Sequence, residues 1–501
     1  MSRSSILARN VVYNFVSQLF LIFLGLVTTP YIVHKLGNQA YGILSITLTV
    51  SGFMSLLDIK ISSAVIKYIS EADAQKENLQ MQKLIKVSLT FYVMVGIIGA
   101  ILIAGLTGFF VSKVFKIPAE LRGVSYWIFY ITAFVFMVKM PTNIFQSVTM
   151  GLKRFDIYNK LNVFFTILQL AGSIVLLYLG YYLKAIFLWN GAIAFVELAV
   201  FAKAAKNLLP PIKFQIGFEF AIFKKIFNFG SKMAIHNICT TAIVNLDKIF
   251  IGIFLPIGFL PFYVIPYNLA QKLQIVTSSF VQVVFPEASG LYGLNKKDNL
   301  IELYYRATTY LIIILFPLAV LITIFAKPLL YFWLGNDFAK NSTFVLQVMS
   351  ITLFLLYSAS MPVTILQAIG RTGIIALFGI FVLLIDVIFC LVLIPKFKIN
   401  GAALAFGFSH IPVTLWILQY THRNILHIPL EAFFSRLLKL LLLPFGILIS
   451  YLVLVKIFIS SPLFTVLFCV IGLAIYVLLV YFYVLDFKDR QIISSHLAFL
   501  K

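Results

Sequence analysis

Long apolar stretches follow one another along nearly the whole chain, separated by short polar connections. A membrane-spanning helix needs about 20 mostly apolar residues, and the chain contains fourteen stretches of roughly that length. The stretches are continuous rather than alternating in polarity, so they predict helices and exclude transmembrane strands, which consist of about ten alternating residues. The predicted spans are residues 11–33, 39–58, 84–111, 123–148, 157–181, 185–202, 230–255, 259–285, 303–326, 342–366, 373–395, 399–420, 435–457 and 462–485.

The composition agrees with a chain that lies mostly in a membrane. Of the 501 residues, 61% are hydrophobic and 11% are charged, and the mean hydropathy is +1.02. A soluble globular chain carries roughly 25% charged residues, so a water-soluble fold is excluded. The first apolar stretch is too long for a signal-peptide core and has no small-residue cleavage site, which predicts an uncleaved first helix.

The excess of positive charge predicts the orientation of the chain. The 39 Lys and Arg outnumber the 17 Asp and Glu, and cytoplasmic loops of membrane proteins collect basic residues. In alternate loops, 27 basic residues, Lys139 among them, fall on the side of the termini and 10 on the other. We therefore expect an inner-membrane protein with both termini in the cytoplasm and no nucleic-acid partner. The two basic residues that this count assigns to neither side, Lys248 and Lys272, fall inside predicted spans.

Two short similarities suggest an internal duplication. Leu36–Ile46 precedes Leu255–Ile265 by 219 residues, and Pro141–Gln146 precedes Pro362–Gln367 by 221. Six helices separate the copies, which predicts a parallel repeat, although chance agreement between apolar segments is the alternative. The predicted fold is an all-α polytopic membrane protein with two six-helix lobes and two further C-terminal helices. The predicted parts are an N-terminal lobe (1–206), a linker with an amphipathic helix (207–229), a C-terminal lobe (230–422) and a final pair of helices (423–501).

Enzyme signatures are missing from the sequence. It has no Gly-rich phosphate loop ending in Lys-Ser or Lys-Thr and no His-Glu-x-x-His pair. The longest predicted outer loop, Lys327–Asn341, leaves little room for an external catalytic domain. We expect neither catalysis, nor a metal site, nor a cofactor.

Polar residues recur at helical spacing in three of the predicted spans, so each set shares one helix face. Such stripes either hold helices together through hydrogen bonds or line a water-filled central cavity. The stripes are Asn10, Asn14 and Gln18 in the first span, Asn237, Thr241, Asn245 and Lys248 in the seventh, and Asn268, Gln271, Lys272, Ser279 and Gln282 in the eighth.

Charged residues inside the spans are the strongest site candidates. A lysine at the middle of a membrane helix costs about 2.5–3.5 kcal/mol, so Lys272, near the middle of its predicted span, needs a partner or water. Lys248 lies nearer the outer end, where its ammonium could instead reach the interface. Asp247 points about 100° away from Lys248 around the helix and is better placed to pair across helices. Glu197 and Asp386 could relay protons or hold a cation, or could be buried carboxyls satisfied by a neighbouring helix.

Several short motifs, together with the fourteen spans, resemble one family of transporters. The chain is similar to the polysaccharide-exporter branch of the multidrug/oligosaccharidyl-lipid/polysaccharide exporter superfamily, the Wzx-type flippases. The motifs are Ala8-Arg9-Asn10, Lys35-Leu36-Gly37 with Tyr41-Gly42, Leu56-Leu57-Asp58, Lys67-Tyr68-Ile69-Ser70-Glu71, Leu246-Asp247-Lys248, and the turns at Gly151 and Gly370.

The resemblance implies two lobes around a central cavity and export of polyprenyl-pyrophosphate-linked oligosaccharide units for surface polysaccharides. Lysine is a point-charge ligand for phosphate, so Lys272 would be the main pyrophosphate anchor and Lys248 the second. The substrate path would be lined by Asn14, Gln18, Asn237 and Asn268. The expected partners are this substrate and membrane lipids, with a polysaccharide polymerase and chain-length machinery as further candidates.

Two other functions stay open at this point. An ion-coupled antiporter of small, often cationic compounds would depend on Asp247, Glu197 or Asp386 and would need a net acidic cavity. A membrane enzyme or a non-transporting scaffold in glycan assembly would need a catalytic carboxylate or an Arg cluster beside an outer loop, and the sequence shows neither.

Overall fold

The computed structural model is helical throughout the residues that it describes, which are 3–54, 56, 61–209, 217–459, 461–485 and 490, with side chains described except at 3–19, 54, 229–237, 239 and 240. Within these ranges the only β-type pairing is an isolated bridge between Lys116 and Pro256. The helices are α1 (Arg3–Met54), α2 (Ile61–Ala74), α3 (Asn78–Phe109), α4 (Ala119–Gly151), α5 (Phe155–Tyr178), α6 (Leu183–Leu208), α7 (Phe220–Phe254), α8 (Leu260–Gln271), α9 (Gln274–Gly293), α10 (Lys297–Ile324), α11 (Ala326–Leu334), α12 (Asn336–Ser358), α13 (Ser360–Ala368), α14 (Thr372–Thr421), α15 (Leu430–Phe458) and α16 (Pro462–Leu479).

Ten helices among the described residues are long and apolar enough to cross a membrane, which confirms a polytopic membrane protein. Two of them each contain two predicted spans. In α1 the helical backbone is interrupted at Gly37 (φ 73°), and in α14 at Lys398 (φ 54°). A Cβ on Gly401 would touch the carbonyl of Leu393, which a straight helix would place about 12 Å away, so α14 reverses sharply at Lys398. The count of fourteen stays a prediction.

Three predicted segments differ in the structure. The eighth predicted span is not continuous, because it consists of α8 and α9 with a break at Lys272 and Leu273. The tenth is divided at Ala359 between α12 and α13. The predicted outer loop 327–341 is mostly helical, with α11 and α12 meeting at Gly335 (φ 90°).

The chain divides into two compact units, Met1–Pro261 and Phe262–Lys501. The division falls inside α8 rather than at the predicted linker, because α7 packs on α1, α2 and α3 of the first unit. The predicted amphipathic segment at 219–229 is the beginning of α7 and not a separate helix. The lobe boundaries inferred from the repeat stay a prediction.

The first unit is built around α4, which packs on both α3 and α6. Gly96 and Gly99 let α3 approach α4 closely, since a Cβ on either would collide with the Met137 carbonyl or the Phe136 ring. Small residues at such contacts are the usual means of helix association in membranes. The end of α7 is held by the segment after α3: the Lys116 amide donates to the Gly252 carbonyl (3.2 Å), and its ammonium to Phe254 (2.6 Å).

In the second unit, α10 packs on α9, α12 and α15. The rings of Phe316 on α10 and Phe445 on α15 stack with their centroids 3.4 Å apart. The Tyr476 hydroxyl of α16 donates to the carbonyl of Ile313 (2.8 Å). These contacts place α15 and α16 within the unit's hydrophobic core.

Candidate functional site

Lys272 lies at an interruption of helical hydrogen bonding. The amides of Lys272, Leu273 and Ile275 donate to the carbonyls three residues back, at 3.1, 3.2 and 3.1 Å. This tighter pattern is that of a 3₁₀ turn, which inside a longer helix often marks a functional hinge. The Lys272 side chain is exposed on the surface of its unit, although the sequence around it is apolar. The structure therefore places an ammonium at a helix break rather than in the middle of a continuous span.

The helix before this break is firmly held. Tyr263 and Tyr267 of α8 are completely buried and stack on each other, and Tyr267 meets the ring of Phe406 edge to face. Asn268, one turn before Lys272, is exposed. Residues four apart share a helix face, so the structure puts the predicted site residues Asn268 and Lys272 on one exposed face next to a rigid helix.

Asp247 and Lys248 are both buried in α7, with 0% and 7% of their surfaces exposed. The Asp247 carboxylate accepts a hydrogen bond from the backbone amide of Lys248 (2.7 Å). Lys248 is therefore buried in this conformation, contrary to the alternative in which its ammonium extends to the membrane interface.

Glu197 of α6 is a buried carboxylate satisfied by two residues of α4. Its Oε2 lies 3.6 Å from the Lys139 ammonium, and its Oε1 accepts a 3.2 Å hydrogen bond from Gln146. Lys139 and Gln146 are seven residues apart and so lie two turns apart on one face of α4. The assignment of Lys139 to a cytoplasmic loop was wrong, because this lysine pairs inside α4 with an acid of a neighbouring span.

Asp386 belongs to a polar cluster between the parts of α14 that precede and follow the turn at Lys398. Its Oδ1 accepts a hydrogen bond from Ser409 (3.2 Å), whose Oγ lies 3.1 Å from Nδ1 of His410. All three residues are at most 4% exposed. The sequence analysis missed Ser409 and His410; the signal was a histidine inside the very apolar run 399–420.

Other predicted residues contribute less to the described geometry. Asn14 and Gln18 lie in α1 and Asn237 in α7, but their side chains are outside the described residues. Asn245, on the same stripe as Asn237, donates to the Thr241 carbonyl of its own helix (2.9 Å), and its side chain lies next to Gly52 of α1. Within the described part of the chain, no group of three or more His, Cys, Asp or Glu could hold a metal ion.

The sequence similarity of the chain decides its family. The sequence model of a family described as "Polysaccharide biosynthesis protein" matches residues 36–343, more than half of the chain. The chain belongs to this polysaccharide biosynthesis protein family. The putative O-antigen transporter of Shigella flexneri is 21% identical over 408 residues, covering 80% of this chain and 94% of that protein. The uncharacterized membrane protein EpsK of Bacillus subtilis (strain 168) is 22% identical over 332 residues, 65% of each chain.

Solved structures with the same fold are transporters and flippases. The lipid II flippase MurJ, in an inward closed conformation, aligns with a TM-score of 0.74 and 14% identity over 94% of this chain and 98% of that one. An inward-facing multidrug resistance MATE family transporter of the MOP superfamily aligns with a TM-score of 0.69 and 12% identity over 83% and 98%. The predicted resemblance to polysaccharide exporters agrees with this family match, and the solved structures show that the chain has the fold of a MOP-superfamily transporter. This member of the family is a multi-pass membrane protein.

Proposed function

We propose that the chain moves polyprenyl-pyrophosphate-linked oligosaccharide units from the cytoplasmic to the outer leaflet by alternating access. The family to which it belongs and its similarity to an O-antigen transporter and a lipid II flippase support a lipid-linked glycan as the cargo. The observation that carries the proposal is Lys272, an exposed ammonium at a 3₁₀ interruption within an apolar segment.

The chemistry of this position suits a pyrophosphate. A lysine in the membrane interior costs about 2.5–3.5 kcal/mol, so it is retained where a partner or water compensates its charge. A pyrophosphate carries at least two negative charges and accepts hydrogen bonds from an ammonium. Helix α9 begins at Gln274, immediately after the break, and helix N-termini attract anions. The side-chain amide of Asn268, on the same exposed face, can donate to phosphate or sugar oxygens.

The remaining predicted residues are secondary in this proposal. Lys248 would be the second phosphate anchor, but its burial next to Asp247 means that it must first become exposed during the transport cycle. Asn14, Gln18 and Asn237 would line the substrate path. A polymerase and chain-length machinery would receive the exported units.

The antiporter alternative gains no support from Glu197 or Asp386, two of its three candidate acids. It needs an acid that binds and releases a cation, whereas Glu197 is occupied by Lys139 and Gln146. Asp386 is completely buried in a hydrogen-bonded cluster with Ser409. The contacts of Glu197 and Asp386 with neighbouring side chains are those expected of buried carboxylates that stabilise the fold.

Replacement of Lys272 tests the proposal in cells. A strain without its chromosomal copy would carry wild type, Lys272→Gln, Lys272→Arg or the control Lys327→Gln, a lysine of α11 with no proposed role. We expect Lys272→Gln to lose surface polysaccharide and to accumulate lipid-linked oligosaccharide inside, while Lys272→Arg keeps partial export because the positive charge is conserved. Immunoblots of membranes check the protein level. Normal surface polysaccharide in the Lys272→Gln strain would refute the role of Lys272.

A further inference from the structure

A basic cavity lies between α10, α15 and the end of the segment that follows α16. Its volume is about 520 Å³. Arg306, Arg436 and Lys439 line it, together with the hydroxyl-bearing Tyr305, Thr309 and Ser435, and none of its lining residues in the described part of the chain is a carboxylate. Arg306, Arg436 and Lys439 are among the 27 basic residues that the sequence places on the side of the termini. In that predicted orientation the cavity faces the cytoplasmic leaflet.

The cations of this cavity are positioned by neighbouring groups. The Arg436 guanidinium lies over the Tyr305 ring, 4.6 Å from its centroid, and Arg306 forms an ion pair with Glu302 of its own helix (3.6 Å). Neither Arg436 nor Lys439 forms an ion pair with a carboxylate among the residues described. Arg436 and Lys439 are three residues apart on α15 and therefore project from one face.

An apolar groove of about 760 Å³ continues from this cavity along α15. Ser435 and Lys439 line both the cavity and the groove. All of its lining residues belong to one face of α15: Leu442, Gly446 and their neighbours lie beyond Lys439, and the carboxylate of Glu431 lies at the other end. A Cβ on Gly446 would meet nothing within 4 Å, so the groove is open at that point.

We propose that cavity and groove together bind one anionic phospholipid of the cytoplasmic leaflet, separate from the transported substrate. The lipid phosphate would contact Arg436 and Lys439, with Arg306 at the rim, and an acyl chain would lie along α15 over Gly446. Charge and shape both select this occupant. Basic pockets between membrane helices bind anionic headgroups, and an apolar groove that shares Ser435 and Lys439 with the cavity accommodates the attached chain. A soluble phosphate would use only the cavity and leave the groove empty.

Lipid retention by the purified full-length chain tests this site. The protein would be exchanged into detergent with equal amounts of phosphatidylglycerol and phosphatidylcholine of identical acyl chains, and native mass spectrometry would count the bound lipids. We expect wild type to retain phosphatidylglycerol preferentially. Loss of two surface cations in Arg436→Gln/Lys439→Gln should lower this preference by about thirtyfold. Gly446→Leu should lower the retention of both lipids, because the new side chain fills the groove.

Matched variants separate this site from general effects and from the substrate site. Lys456→Gln, at the opposite end of α15, and Lys272→Gln should both keep the wild-type preference, so that failure of this proposal and failure of the flippase proposal are distinguishable. If the double variant does not fold, Lys439→Gln alone replaces it, since Lys439 has no ring contact to lose. An unchanged preference in the charge variants, or unchanged retention in Gly446→Leu, would overturn the proposal. Displacement of phosphatidylglycerol by equimolar polyprenyl phosphate would also overturn it, by assigning the site to the substrate.

Discussion

The Ser342 hydroxyl of α12 donates a 2.8 Å hydrogen bond to the carbonyl oxygen of Phe262 in α8. In a regular helix that carbonyl would accept from the amide of residue 266, but residue 266 is proline and has no amide hydrogen. Membrane helices tolerate proline where a Ser or Thr side chain satisfies the freed carbonyl. Ser342 therefore stabilises the first turn of α8, the helix that ends at the break at Lys272.

Loss of this hydrogen bond should destabilise the chain. Ser342→Ala leaves the Phe262 carbonyl without a donor, and an unsatisfied buried group costs about 1–3 kcal/mol. We expect a lower melting temperature in detergent. Thr343→Ala is the matched control, because the Thr343 hydroxyl donates only to Ala339 of its own helix. Pro266→Ala restores an amide donor and should rescue Ser342→Ala; absence of rescue would contradict this explanation.

The ion pair between α4 and α6 should appear as a coupling energy. Glu197→Gln and Lys139→Gln should each lower the melting temperature, and the double variant should lose less than the sum. The coupling should be about 1 kcal/mol, at the low end for contacting residues because the Lys139 side chain is 43% exposed. Lys203→Gln, an exposed lysine of α6, should show no coupling to Glu197→Gln. Additive effects for Glu197 and Lys139 would mean that the 3.6 Å contact contributes nothing to stability.

Glu197→Gln also distinguishes a lipid-linked glycan flippase from an ion-coupled antiporter. If Glu197 is structural, Glu197→Gln should still export glycan in membranes that contain normal amounts of the protein. Asp386→Asn should also export, because the amide oxygen can still accept from Ser409, whereas Asp386→Leu should reduce the amount of folded protein. Loss of export with normal membrane levels in either amide variant would favour ion coupling through that acid.

A glycine in α1 should be intolerant of any side chain. A Cβ on Gly42 would collide with the Ile257 carbonyl oxygen, whereas one on Gly108 of α3 would meet nothing within 4 Å. We expect Gly42→Ala to destabilise the chain by about 1–3 kcal/mol through overpacking. Gly108→Ala should be neutral or stabilising, since Ala is the better helix former. Equal melting temperatures for the two variants would show that α1 can move away from Ile257.

Hydropathy predicts most helices of this chain because the physical requirement is local. Any segment in the hydrocarbon region must be apolar and must satisfy its backbone internally. Gly37 and Lys398 fall between predicted spans for the same reason, since each turn interrupts an apolar run. The helix break at Lys272 could not be predicted in this way, because it follows Tyr267, whose packing partner Phe406 lies far away in the sequence.

The polar contacts were predicted only in part. Glu197 was recognised as a buried acid, but its partner Lys139 is on another helix, 58 residues earlier. Lys139 lies within the predicted span 123–148, so an opposite charge in a neighbouring span was a usable signal. Assigning Lys139 to a cytoplasmic loop removed it from the possible partners of Glu197. For Lys272 the apolar surroundings in the sequence indicate a site candidate, and the structure adds that its exposed side chain lies at a helix break; its role as a phosphate anchor stays a prediction.

Flipping in proteoliposomes is the most direct test of the central claim. Purified wild type, Lys272→Gln and Lys272→Arg would be reconstituted with a fluorescent polyprenyl-pyrophosphate oligosaccharide, and a membrane-impermeant quencher would report its transfer between leaflets. The account predicts rapid transfer by wild type, slower transfer by Lys272→Arg, and transfer by Lys272→Gln no faster than in protein-free liposomes. Wild-type rates in Lys272→Gln, or no transfer by the wild-type protein, would contradict it.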